Sequence, residues 1–235
     1  MNNLVVKICG ILDVPTIESM LNLPIDYIGF VFAKSRRQVT PGQVADMIQA
    51  LGNHHIKVPE TAGVFVNPSE QELEETVRHA SLDIIQLHGQ ESPEFCKWVK
   101  QSLNVKVFKV FSNLHQIVMR DDSTNSYEQV DEECSKLLNP YVNQIDALML
   151  DTYDPVVGGG TGETFNWELI PIVQRWTKKN NVPLIVAGGL DVDNVRSLIS
   201  TYAPDGVDVS SGVETNRIKD VKKIKTFVER VRVNV

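Results

Sequence analysis

Cysteine is scarce in this chain and follows no pattern. Cys9, Cys96 and Cys134 are odd in number, widely separated, without CxxC spacing and without histidines at metal-ligand distance, which argues against a disulfide framework and a zinc site. Long apolar runs are missing too. No segment approaches the roughly 20 residues that span a bilayer, and Met1-Asn2-Asn3-Leu4 has no basic start followed by an apolar stretch, so a cytoplasmic protein away from membranes is expected. Basic residues are in deficit: 23 Lys and Arg against 30 Asp and Glu leave a net charge of −7, which disfavours a nucleic-acid partner. An anionic ligand must therefore be held by local groups rather than by the overall field. No G-x-G-x-x-G follows the first strand-like run, so the dinucleotide-binding signature is absent.

What the chain does contain is alternation. Eight short apolar, β-branched or aromatic runs recur, at Leu4 to Cys9, Tyr27 to Phe32, Ala62 to Val66, Asp83 to Leu87, Val105 to Val110, Ala147 to Leu150, Pro183 to Ala187 and Gly206 to Val209. They start about 30 residues apart, the length of one βα unit. Between them lie helix-start signals, with Thr40-Pro41, Asn67-Pro68-Ser69 and Glu91-Ser92-Pro93 each preceding an apolar-periodic stretch. Most runs are continuously hydrophobic, as strands buried on both faces must be. At 235 residues the reading is an α/β protein with a single (β/α)8 barrel over 1–235. An open doubly wound sheet has the same alternation, because pattern does not reveal closure. The least regular stretch, Ser112 to Gln144, reads as one elongated connection, with a polar loop at Asp121 to Ser126 splitting the fifth helical region.

Chemistry-bearing residues gather where the runs end. Cys9 stands before Gly10, Asp151 follows Leu150, and Gln86-Leu87-His88-Gly89, Gly188-Gly189 and Ser210-Ser211-Gly212 close three further runs. In a barrel all of these meet at one mouth. Residues two apart on a strand share a face, so Lys7 points with Cys9, Gln86 with His88, and Asp208 with Ser210. Strands one and six lie nearly opposite, placing a candidate base, Cys9, across from a candidate acid, Asp151.

Each residue also has a plainer role open to it. Cys9 either acts as a base or is a small buried hydrophobe, the commoner place for a free cysteine. Lys7 either stabilises a thiolate or forms an interior ion pair with Asp208. Asp151 either reacts or caps the turn with Thr152. The segment Val157 to Gly162 is either a lid or a flexible linker. Arg37 either holds a carboxylate or is solvated, and His88 either binds with Gln86 or is structural. The glycine pairs of the last two units favour phosphate binding.

Taken together, Val6-Lys7-Ile8-Cys9-Gly10-Ile11, Gly29-Phe30-Val31-Phe32 with Ser35 to Arg37, Gly63 to Asn67, Gln86 to Gly89, Leu150-Asp151 with Gly158 to Phe165 and Trp167, Ala187 to Leu190 and Val207 to Glu214 resemble the phosphoribosylanthranilate isomerases of tryptophan biosynthesis, in order and over nearly the whole chain. The resemblance implies a (β/α)8 barrel and an Amadori rearrangement without cofactor or metal. By the same resemblance, Asp151 would protonate the furanose ring oxygen of N-(5-phosphoribosyl)anthranilate and Cys9 would remove the proton from C2. Arg37 would face the anthranilate carboxylate, Gly188, Gly189, Ser211 and Gly212 would hold the phosphate, and Gln86, His88 and Asp208 would line the sugar. The partner would be this phosphorylated small molecule, with the protein a monomer or homodimer. The segment Asp121 to Asn143 is longer than the family pattern suggests. A phosphosugar epimerase or lyase on the same barrel would share the phosphate loops but not the cysteine–aspartate pair, and a non-catalytic phosphate-binding barrel would need neither residue.

Overall fold

The computed structural model describes residues 4–52, 58–112, 114, 127–151 and 167–232. Its eight parallel strands are β1 (Val5–Cys9), β2 (Tyr27–Val31), β3 (Glu60–Phe65), β4 (Ile84–Leu87), β5 (Lys106–Phe111), β6 (Ala147–Asp151), β7 (Leu184–Ala187) and β8 (Gly206–Val209), paired in chain order. β8 returns to pair with β1, setting Lys7 opposite Asp208 and Ile8 opposite Val209. That seam closes the barrel and leaves its sheet without an edge, which rules out the open doubly wound alternative. Every run expected from the sequence is a strand, with ends within two residues of the expected ones.

The continuous hydrophobicity of the strands reflects two separate cores. Inside the barrel, Ala62, Ile84, Phe108, Val110, Ala147, Met149, Ile185 and Ala187 pack together, with Tyr27 edge-on to Phe108. Between barrel and helices, Ile8, Phe30, Leu87, Leu148, Val186 and Val207 meet the buried faces of the helices, including Ile17, Leu73, Val99, Val173, Leu198 and Phe227. Each such aliphatic or aromatic side chain contributes roughly 2 kcal/mol by leaving water. The helices bounded within the described residues are α1 (Val14–Met20), α2 (Pro41–Gly52), α3 (Glu70–His79), α4 (Pro93–Leu103), α5 (Tyr127–Leu138), α6 (Ile170–Asn180), α7 (Val195–Tyr202) and α8 (Val221–Arg232).

Helix starts obey local chemistry. Thr40 and Gln43 satisfy each other's backbone N–H groups before α2, and the hydroxyls of Ser69 and Ser92 accept from the amides of Glu72 and Phe95 at the starts of α3 and α4. The fifth helical region, read as split by a polar loop, holds α5 after Ser126, a helix of 12 residues followed by a 3-10 turn at Asn139–Tyr141. Its buried positions, Val130, Cys134 and Leu138, recur every four residues and are sparse among charges, a narrow stripe. The expected loop Asp121 to Ser126 and the glycine-rich segment Val157 to Gly162 lie outside the described residues.

The last helix fastens the first strands. α8 buries Ile224, Phe227, Val228 and Val231, and at its end Arg232 donates to the carbonyls of Leu4 and Pro24 and to the Asp26 carboxylate, 2.6 Å away. Asp26 in turn accepts the amide of Val6. Among the described residues, no helix is long and apolar enough to cross a membrane.

Candidate active site

All ten residues singled out from the sequence lie on or just after the carboxyl ends of their strands, at one mouth. Cys9 ends β1 and Asp151 ends β6, with β7 and β8 between them on one side and β2 to β5 on the other.

Cys9 sits above a buried ion pair. The Lys7 ammonium, wholly buried, donates to Asp208 Oδ1 at 3.1 Å, and its charge acts on the neighbouring Cys9 thiol. The interior ion pair considered for Lys7 is therefore present. Burial drives the Cys9 thiol above its ordinary pKa; Lys7 opposes this, Asp208 adds to it, and Lys219 opposes it from further off. The stabilising cation is present, but desolvation outweighs it. For Lys7 itself, burial works against the charge, and Asp208 followed by Cys9 overcomes it and raises the ammonium. A buried ion pair of this kind adds little to stability over an apolar pair, so its proximity to the thiol is its more telling property.

Two glycines make room for this arrangement. Gly29 lies opposite Cys9 in register, and a Cβ there would stand 2.8 Å from the Cys9 sulfur and 3.1 Å from the Lys7 Nζ. Gly10, in the left-handed region at φ 79°, leaves its side-chain position to Arg37, whose Cδ would lie 2.5 Å from a Cβ there. Arg37 thus crosses the end of β1 beside the catalytic candidate. The Ser210 hydroxyl closes the same corner by donating to the Cys9 carbonyl at 3.1 Å.

Asp151 meets the imidazole of His88, with Nε2 3.2 Å from Oδ2. The loop carrying His88 is clamped at the next residue. The Gly89 amide donates to the Glu91 carboxylate, the Gly89 carbonyl accepts from Lys109 at 2.8 Å, and Lys109 and Glu91 pair at 3.0 Å, both almost fully buried. Glu91 also accepts the Asn67 amide. The sequence offered one hint of this clamp: Lys109, a lysine inside an apolar strand, needs a buried partner. Gln86 lies in register with Phe108, which faces the barrel interior, and its Oε1 is buried with no hydrogen-bond partner. An orphaned acceptor in such a place is a docking point for a ligand hydroxyl.

The last two units form a small cradle. Gly188 and Gly189 have φ of 84° and 57°, values that strain any other residue. The loop after β8 bridges to the loop after β7 through Gly212 and Asp191, and a Cβ at Gly212 would fall 1.9 Å from the Leu190 carbonyl oxygen. Replacing Gly212 by Ala is therefore expected to force the two loops apart, costing about 2 kcal/mol and roughly 5 °C in Tm for a domain of this size. A thermal melt unchanged within 1–2 °C (about the noise of such a comparison) would contradict that close approach. Ser211 stands exposed at the tip of the turn.

One group of charges was not foreseen. Beyond β8 the chain forms a small hairpin, Glu214–Thr215 against Ile218–Lys219. Glu214 receives Arg37 through both Nε (2.7 Å) and Nη2 (3.2 Å), Arg36 at 2.5 Å, and Lys219 at 3.0 Å. Burial would raise the Glu214 carboxyl, but the hydrogen bonds from Arg37, Arg36 and Lys219 prevail and bring it down to about 2. Its stabilising contribution is complete above the ordinary carboxylate pKa and is lost as pH falls towards that depressed value. Lys219, almost fully buried, is pushed below its ordinary pKa by burial, against the pull of Glu214.

The family model for N-(5'-phosphoribosyl)anthranilate isomerase matches residues 6–230. The chain belongs to the N-(5'-phosphoribosyl)anthranilate isomerase family. Isomerases of that name from Brevibacillus brevis and Clostridium acetobutylicum are 39% and 38% identical to it, covering 96% and 97% of this chain and 92% and 97% of their own. The phosphoribosylanthranilate isomerase structure from Thermotoga maritima superposes with a TM-score of 0.73 at 31% identity, covering 98% of this chain and 99% of that one. A further isomerase structure, in complex with reduced 1-(o-carboxyphenylamino)-1-deoxyribulose 5-phosphate, gives 0.70 at 29% identity, with 98% and 99% covered. The family's activity is the isomerisation of phosphoribosylanthranilate in tryptophan biosynthesis, and the barrel mouth is where its chemistry belongs.

Proposed function

We propose that this barrel isomerises N-(5'-phosphoribosyl)anthranilate by general acid–base catalysis, with Asp151 as the acid and Cys9 as the base. The observation that carries the assignment is the convergence at one mouth of a thiol beside a buried lysine and a carboxyl group in contact with an imidazole. Asp151 delivers its proton to the furanose ring oxygen as the C1–O bond breaks, and the nitrogen lone pair forms the Schiff base. Cys9, as thiolate, then takes the proton from C2; the released electron pair neutralises the iminium, and the enolamine becomes the ketone. Lys7 offsets the charge on the thiolate while Asp208 holds Lys7 in place. His88 replenishes and orients the Asp151 proton.

Arg37 receives the anthranilate carboxylate, Gln86 and Asp208 line the ribose, and Gly188, Gly189, Ser211 and Gly212 surround the phosphate. Backbone N–H groups at such glycines bind phosphate without a net protein charge, which suits a chain that is acidic overall. The protein works as one catalytic domain, a monomer or homodimer, in the cytoplasm, and the steps above require neither metal nor redox cofactor.

The test is the fluorescence decay of freshly generated phosphoribosylanthranilate. Purified protein should accelerate it strongly; no acceleration by folded protein would overturn the assignment. Replacing Arg37 with Ala removes a charge-assisted contact made in ground and transition states alike, so KM should rise roughly 30-fold with kcat changed far less. An unaltered KM would place the carboxylate elsewhere.

A further inference from the structure

We propose that Glu214 is a positioning residue that gives this site its selectivity for a carboxylate on the substrate's aromatic ring, by fixing Arg37 across the end of β1 and tying it to the hairpin after β8. The inference rests on the reading above that Arg37 meets that carboxylate. Arg37 spends its Nε edge on Glu214, through two parallel hydrogen bonds, and its Nη1 has no protein acceptor among the described residues. A guanidinium gripped along one edge presents the other edge in a fixed plane, as bidentate carboxylate recognition requires. Glu214 is itself anchored: its side chain is 6% exposed, and Lys219 bonds it while also donating to the Ser210 carbonyl at 2.8 Å. Ser210 in turn bonds the Cys9 carbonyl. The carboxylate-binding arm and the strand that carries the thiol are therefore referenced to one another through a few hydrogen bonds. Three cations surround the single carboxylate. The cluster keeps a net positive charge in a chain whose total charge is −7.

Two effects oppose each other when Glu214 is replaced by Gln. Loss of a negative charge favours an anionic ligand, but Arg37, about one-fifth exposed, is partly screened by water, which weakens that gain. Loss of the two-point grip frees a long side chain whose ordering must then be supplied on binding. The second effect dominates, because Lys219 also loses its counter-ion in a nearly dry position. The dissociation constant of the reduced carboxyphenylamino product analogue is therefore expected to rise about tenfold in Glu214→Gln. That of its phenylamino counterpart, identical but lacking the carboxylate, should stay within about twofold.

Calorimetric titration of both compounds into wild type, Glu214→Gln and Arg37→Ala provides the comparison. A merely structural role would weaken both ligands together, and that result, or equal and unchanged binding of both, overturns the proposal. Should the glutamine variant fail to fold, Glu214→Asp, which withdraws the carboxylate by one methylene from Arg37, makes the same test. Failure of the underlying reading looks different: wild type itself would then bind the two compounds equally, or Arg37→Ala would retain the preference.

Discussion

Replacing Cys9 with Ser should lower kcat about 1,000-fold, the middle of the range for losing a general base, while KM changes only a few-fold. Serine fits the space that Gly29 leaves beside the end of β1, so the cradle for substrate persists. What vanishes is an ionisable group whose conjugate base is accessible in water. The pH profile carries the same information. Burial holds the Cys9 thiol above its usual value, and the reactive form is the thiolate. Below that pKa the thiolate fraction, and with it kcat/KM, climbs about tenfold per pH unit. The limb should therefore still be rising through neutral pH in the wild type and should flatten in the serine variant. A serine enzyme with kcat within tenfold of wild type (about 1.4 kcal/mol) would remove Cys9 from the role of base.

Asp151→Asn is expected to be at least as damaging, again about 1,000-fold in kcat. The amide keeps the volume and a contact with His88, which is 3.2 Å from the present carboxylate, but it delivers no proton to an opening ring. Binding of the reduced product analogue should survive, since the analogue demands no proton transfer. Stopped-flow decay of substrate fluorescence together with analogue titration separates the two quantities. If the asparagine variant turned over substrate at near wild-type rate, His88 rather than Asp151 would have to supply the proton, and the assignment of roles would be reversed.

The difference between what was legible in the sequence and what was not is physical. Strands buried on both faces advertise themselves as unbroken apolar runs, so all eight were visible, and so was the common edge at which Cys9, His88, Asp151 and Gly188 emerge. Closure was not visible, because it depends on β8 meeting β1 across the whole chain. Helix α5 was legible only as part of an irregular helical region, because its apolar residues are thinly spaced among charges that face water and pair with neighbours, as Asp131 does with Arg175. The Glu214 cluster was hidden for another reason. Arg37 reads either as holding a carboxylate or as solvated, and nothing in local sequence reveals a carboxylate some 180 positions later folding back upon it and Arg36. The same distance concealed the contribution of Lys219. Lys7 was seen with both of its partners, but sequence could not weigh thiol against carboxylate; the geometry gives the ammonium's hydrogen bond to Asp208, with the thiol close by.

The seam between the first and last strands also imposes an order in time. Lys7 and Asp208 are separated by 201 positions, and Arg232 fastens the beginning of β1 from the end of α8. During synthesis, β1 emerges first and waits with a charged lysine and one unpaired edge while more than 200 residues follow it. Only when β8 arrives does Lys7 gain its carboxylate and the thiol its final surroundings. Loop closure of that span is entropically slow, so the Lys7–Asp208 pair beside Cys9 is among the last contacts that the fold makes. A nascent chain arrested before β8 would own Cys9 and Asp151 without that pair, and the surroundings of the mouth are finished only once the ring is complete.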